Sequence, residues 1–187
     1  MISDAMNAGV NPGGLQSRTD IRVLICYLVH NSKNPLPLEK VKEKLHFNGI
    51  ANYFETAFAI SELVENNTIT ASTDSDGTVY YKGTADCSNI AKSIGNSLPF
   101  SVREDAIEIC NEIINRNKNE RANKFSQEKC EFGVYVTCSV MENNHELASV
   151  KLLVPDEATA NAVKENFLTN PMAVLIKATE NLTNMKL

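Results

Sequence analysis

From Asp20 onward the apolar positions fall into step. Ile21, Leu24, Ile25 and Leu28 recur at the spacing of one helix face, with Asp20 placed to cap it and HNSKNP (30–35) to end it. After the PLP segment, Leu38, Val41 and Leu45 repeat in the same way while Lys40 and Lys44 lie four apart on another side, so a short second helix is expected. Asn52, followed three residues later by Glu55, is a variant capping box for a third helix. Its expected inward stripe is Phe54, Ala57, Phe58, Ile60, Leu63 and Val64, and it ends near Asn66. ITAS (69–72) and TVYYK (78–82), rich in β-branched and aromatic residues, then flank the polar turn DSDG (74–77) and predict a hairpin. Three short helices and a hairpin in this order make a winged helix-turn-helix, with helix three in the recognition position and the hairpin as wing.

Beyond Thr84 the periodicity changes. A short helical stretch around Ile90 and Ile94 leads to Pro99, and S-V-R-E (101–104) is a capping box for a helix over Ser101 to Asn117 with Val102, Ala106, Ile109 and Ile113 inward. Two strands, about 131–141 and 147–154, follow around the turn 142–146, with a further edge strand near 125–128. Asp156 caps another helix, and Asn170-Pro171 is an N-cap and N1 pair that starts the last one. The fold class expected is therefore α+β, a winged helix followed by a small antiparallel sheet with helices on one face. Three stretches are expected: a loose arm over 1–19, rich in Gly, Asn and Ser; the winged helix over 20–83; and a dimerisation or sensor domain over 84–187.

Composition adjusts this picture. The 187 residues, 43% of them hydrophobic, suffice for a packed core. No apolar run is long enough to cross a bilayer and no export signal opens the chain, so a soluble, cytoplasmic protein without membrane contact is expected. Five cysteines, odd in number and without a C-x-x-C pair, read as reduced buried thiols. Net charge is −5, and neither half is basic: residues up to Gly83 carry 7 basic and 9 acidic side chains, the remainder 11 and 14. Such a balance works against nonspecific attraction to nucleic acid and leaves only a local patch to provide it.

NYFETAFAISELVENN (52–67), Tyr81-x-x-Thr84 and LPFSVRE (98–104) together resemble an uncharacterised bacterial family common in anaerobic Gram-positive species. The resemblance runs from Asp20 to the C-terminal helix, and it implies a winged helix followed by an α/β region and a transcription regulator. Family members usually carry a glycine three residues beyond the threonine of Y-x-x-T, where this chain has Cys87.

A recognition helix that reads double-stranded DNA presents its first exposed residues to base edges. Here those are Asn52, Tyr53, Glu55, Thr56 and Ala59, with no arginine or lysine anywhere in the helix, and Glu55 would accept only from cytosine or repel the backbone. Asn52 either reads adenine or serves as the helix cap, since asparagine suits both. Thr56 would touch a thymine methyl or a phosphate. Lys40 and Lys44 would grip the backbone from helix two and Lys82 from the base of the wing, whereas Asp74 and Asp76 at its tip would repel it. On helix 101–117, Ile107, Cys110 and Ile114 widen the apolar surface beyond what one small sheet buries, and they are the expected homodimer contacts. Enzyme signatures are missing, and His30, His46 and His145 have no ligand-spaced partners, so no catalysis, cofactor or metal site is expected. The leading expectation is a homodimeric winged-helix transcription regulator with room for a small-molecule effector. The competing one is an interaction adaptor whose winged helix has left DNA.

Overall fold

The computed structural model describes residues 5–186 and has the expected α+β class, seven α-helices and two small antiparallel sheets among the described residues. Helix α1 (Arg18–Asn31) is capped by Ser17, whose hydroxyl accepts the Asp20 amide, so the cap lies three residues before the one expected. Ile21, Val23, Leu24, Ile25, Cys26, Leu28 and Val29 are all buried, and a helix apolar on so much of its circumference belongs at the centre of its unit. Around it stand α2 (Leu38–Phe47), α3 (Tyr53–Glu65) and the hairpin of β1 (Ile69–Thr73) with β2 (Val79–Gly83). The hairpin turn closes as its sequence demands: Gly77 takes φ +82°, and Asp74 and Asp76 accept the amides of Ser75 and Thr78. Leu36 and Tyr81 exchange backbone hydrogen bonds of 2.9 Å, which ties the hairpin to the link between α1 and α2. Three helices followed by a two-stranded hairpin is the element order expected from the sequence.

Two boundaries differ from expectation. The segment expected as a loose arm is pinned where it is described: Asn11 and Leu15 donate backbone hydrogen bonds to Gly49 and Ile50, and Leu15 is buried. Nor does the first unit stop at Gly83. It runs to Ile113, because α4 (Ala85–Ile94) packs on α1 through Cys87 and Ala91, with His30 and Ser88 hydrogen-bonded at 3.2 Å. Cys87, at the position where the family usually has glycine, is fully buried and directs its thiol to the Cys26 carbonyl. Burial and the neighbouring Cys87 thiol push Cys26 well above the ordinary thiol range, so it stays protonated.

Helix α5 (Phe100–Ala122) is longer than the span 101–117, since NRNKNERA continues it, and the boundary between the units falls inside it. In the second unit, β3 (Lys124–Cys130), β4 (Gly133–Glu142) and β5 (His145–Val154) form a meander with β4 in the middle. Val134, Val136, Cys138 and Val140 of β4 point to one face, where α6 (Glu157–Thr169) covers them with Ala160, Phe167 and Leu168 and α7 (Pro171–Thr183) adds Val174 and Leu175. Asp156 and Asn170 cap these helices as expected. The end of α5 is held to α6 by a two-pronged Arg116–Glu165 pair and by Asn119 donating to the Leu168 carbonyl at 2.8 Å.

Gly133 opens β4 at φ +142°, and a Cβ there would stand 2.2 Å from the Val154 carbonyl oxygen. Gly133→Ala should therefore lower the unfolding free energy of the second unit by roughly 2–4 kcal/mol. Urea denaturation followed by amide exchange in residues 124–154 checks this, and a loss within experimental error would mean that the turn yields freely.

Candidate interaction surface on the third helix

Helix α3 is set by polar contacts at its start. Asn52 is the N-cap: its Oδ1 accepts the amides of Phe54 and Glu55 at 2.9 and 3.2 Å, and its Nδ2 donates to the Ala8 carbonyl at 2.7 Å. The buried Glu55 carboxylate accepts from Arg18 at 2.9 Å and from the Met6 amide at 2.9 Å. Thr56 is fully buried and donates its hydroxyl to the Asn52 carbonyl at 2.8 Å. The inward stripe is thus Asn52, Glu55, Thr56, Ala59, Ile60 and Leu63, which recur at the three-and-four spacing of one face.

That stripe overturns two expectations. Asn52, Glu55, Thr56 and Ala59 are 2%, 8%, 0% and 2% exposed and face the interior, so none is placed to meet a base. Phe54 and Phe58, expected in the core, are 69% and 52% exposed. With Ala57, Ser61 and Glu65 they form the outward stripe of α3. The reason is a competition that periodicity does not resolve: two stripes on opposite sides of the helix each contain apolar residues, and satisfying Asn52 and Glu55 selects the less hydrophobic one.

Other aromatic residues gather at the helix start. The Tyr53 ring meets Phe54 edge to face at 5.5 Å and His46 at 6.2 Å, and the Lys42 ammonium sits 4.5 Å from it. Burial pulls Lys42 down, but the bonds to Glu39 and Tyr53 outweigh it and leave its pKa raised. Phe47, at the end of α2, is 86% exposed. The Arg18 guanidinium lies 5.6 Å over the Phe58 ring while it binds Glu55, and Arg22 pairs with Glu62 at 3.3 Å. The two arginines nearest α3 are therefore matched by its own carboxylates.

The expected backbone contacts are scattered. Lys40 and Lys82 are exposed on α2 and β2. Lys44 is exposed too, but it lies 4.0 Å from Glu112 beside a groove of about 500 Å³ whose other walls include Asp105 and Glu108. Carboxylates in that position oppose a phosphate. Cys110, the middle of the three expected dimer contacts, is buried in the single chain, and burial pushes its thiol up to about 12. Ile107 and Ile114 are half-buried. No group of three or more candidate metal ligands occurs among the described residues, and no helix there is long and apolar enough to cross a membrane.

The architecture and this surface define an α+β chain with an aromatic patch on its third helix. It belongs to the family described as a domain of unknown function, DUF4364, whose model matches residues 21–182. Neither the curated proteins nor the solved structures contain a significant match.

Because Asn52 and Thr56 face inward, their removal should be read in stability. Asn52→Ala is expected to cost about 1–2 kcal/mol through the lost cap and the freed Ala8 carbonyl, and Thr56→Ala about 1–2 kcal/mol through a small cavity. Chemical denaturation measures both, and wild-type midpoints would contradict the inward placement.

Proposed function

We propose that the chain is a regulatory adaptor of winged-helix type, in which the outward face of α3 docks an apolar segment of a partner protein. The observation that carries this reading is the exposure of Phe54 and Phe58 on the helix that would enter a DNA groove, on a face without arginine or lysine. Aromatic side chains on a fixed helix lose little entropy on binding and serve well as anchors for another protein. Phosphates, by contrast, gain nothing from phenylalanine and are repelled by Glu65 at the end of the stripe. Asn52, Glu55 and Thr56, which hold the helix in this rotation, are positioning residues for the patch.

Sequence-specific DNA binding is the second reading. It is favoured by the element order of the first unit and by the exposure of Lys40, Lys44 and Lys82. In this reading the lysines hold the backbone, and the salt dependence becomes shallower as each is removed.

Two selections on the purified chain separate the readings, one with random duplex DNA at low salt and one with displayed random peptides. The expected outcome is no enriched duplex, and an enriched apolar peptide whose affinity varies little with salt. Phe54→Ser and Phe58→Ser should each weaken that peptide by about tenfold or more while changing stability by less than about 0.5 kcal/mol. An enriched duplex whose retention falls steeply with salt, and which Lys40→Ala with Lys44→Ala weakens, would establish the DNA reading instead.

A further inference from the structure

We propose that the free edge of β5 is the site at which a second copy of this chain pairs, antiparallel, so that two three-stranded sheets join into one of six strands.

The two edges of the sheet are unlike. The β3 edge carries Ser126, Gln127, Glu128 and Lys129, all exposed, the charged and polar cover that keeps an edge from pairing. The β5 edge also has exposed polar positions, His145, Glu146, Ser149 and Lys151, but sets among them Leu147, Leu152 and Leu153, exposed by 44 to 48%, along ten residues with which no strand but β4 pairs among the described residues. An edge of ten residues that exposes three leucines is a template for another strand.

The helical layer stops short at the same place. Val136 and Leu152 are cross-strand partners on the face that α6 and α7 cover, yet Val136 is fully buried and Leu152 is half exposed. Ala148 and Val150 of the same row are only half-buried. A neighbouring β5 would continue this row and bring its own helical layer alongside it.

The charge pattern of β5 identifies the occupant as a copy of itself. Ser149 is opposite Ser139, Lys151 opposite Thr137 and Glu146 opposite Met141, because the irregularity after Val140 leaves Leu147 without its own place in the ladder. Glu146 and Lys151 therefore lie on one face, each two ladder steps from Ser149, on opposite sides of it. A two-fold axis perpendicular to the sheet at Ser149 keeps each face on its own side and sets Glu146 of each chain across from Lys151 of the other. It also sets Ala148 against Val150. The strand is self-complementary in charge and in size about that one residue, as an isologous interface requires.

The test is a charge swap on the full chain, read as the dimer dissociation constant by sedimentation equilibrium. Wild type should sediment at twice the 20.6 kDa chain mass at micromolar concentration. Glu146→Lys and Lys151→Glu, both at exposed positions, should each raise the dissociation constant roughly tenfold or more by placing like charges opposite each other twice. The double variant E146K/K151E should restore it to near the wild-type value, which a merely structural loss would not do. A monomeric wild type, a dimer indifferent to both reversals, or a double variant as weak as the singles would each overturn the proposal. Because none of these residues lies on α3, failure here leaves the aromatic patch standing, and failure of the patch leaves the dimer.

Discussion

The buried carboxylate of Glu55 governs what the first unit presents to its surroundings. A charge taken out of water must be met by donors, and the donors available are the guanidinium of Arg18, the first residue of α1, and the Met6 amide. Meeting them requires Glu55 to turn inward, and Asn52, three residues earlier, turns with it and caps the helix while binding the Ala8 carbonyl. Once those two point inward, helical geometry leaves Phe54, Ala57 and Phe58 no choice but to point out. The aromatic patch is thus the consequence of a polar network on the other side of the same helix. It also accounts for the pinned N-terminal segment, because residues 6 and 8 supply two of the network's backbone groups.

The same network affects the electrostatics. In a groove-reading winged helix, arginines near the recognition helix would be held for phosphates. Here Arg18 and Arg22 are matched by Glu55 and Glu62 of α3 itself. Glu112, Asp105 and Glu108 line the groove beside Lys44, and the chain as a whole is acidic. What α3 leaves exposed includes Phe54 and Phe58 and no arginine or lysine.

In the second unit the controlling constraint is the width of the helical layer. Two helices of 13 residues each cover β4, α6 through Ala160, Phe167 and Leu168 and α7 through Val174 and Leu175, and leave the core face of β5 half covered. A three-stranded meander gains stability by burying one face, and the sequence of β5 alternates as if that face continued past its own edge. The two edges differ in that β5 exposes three leucines, Leu147, Leu152 and Leu153, among its polar positions.

Much of the architecture was legible in the chain. The three early helices, the DSDG hairpin, the strands 131–141 and 147–154 and the caps at Asp156 and Asn170 follow from spacing and from residues whose local chemistry admits few alternatives. The α+β class follows from their order. Not legible was which way α3 turns, since hydrophobicity favours burying Phe54 and Phe58 and only contacts 37 to 49 residues distant in the chain reverse that choice. The reach of the first unit to Ile113 likewise depended on α4 meeting α1, and the burial of Cys110 on packing within the single chain. Local sequence determines elements because caps, turns and periodicity act over a few residues. The faces those elements show were decided by distant polar groups that had to find each other before water could be excluded.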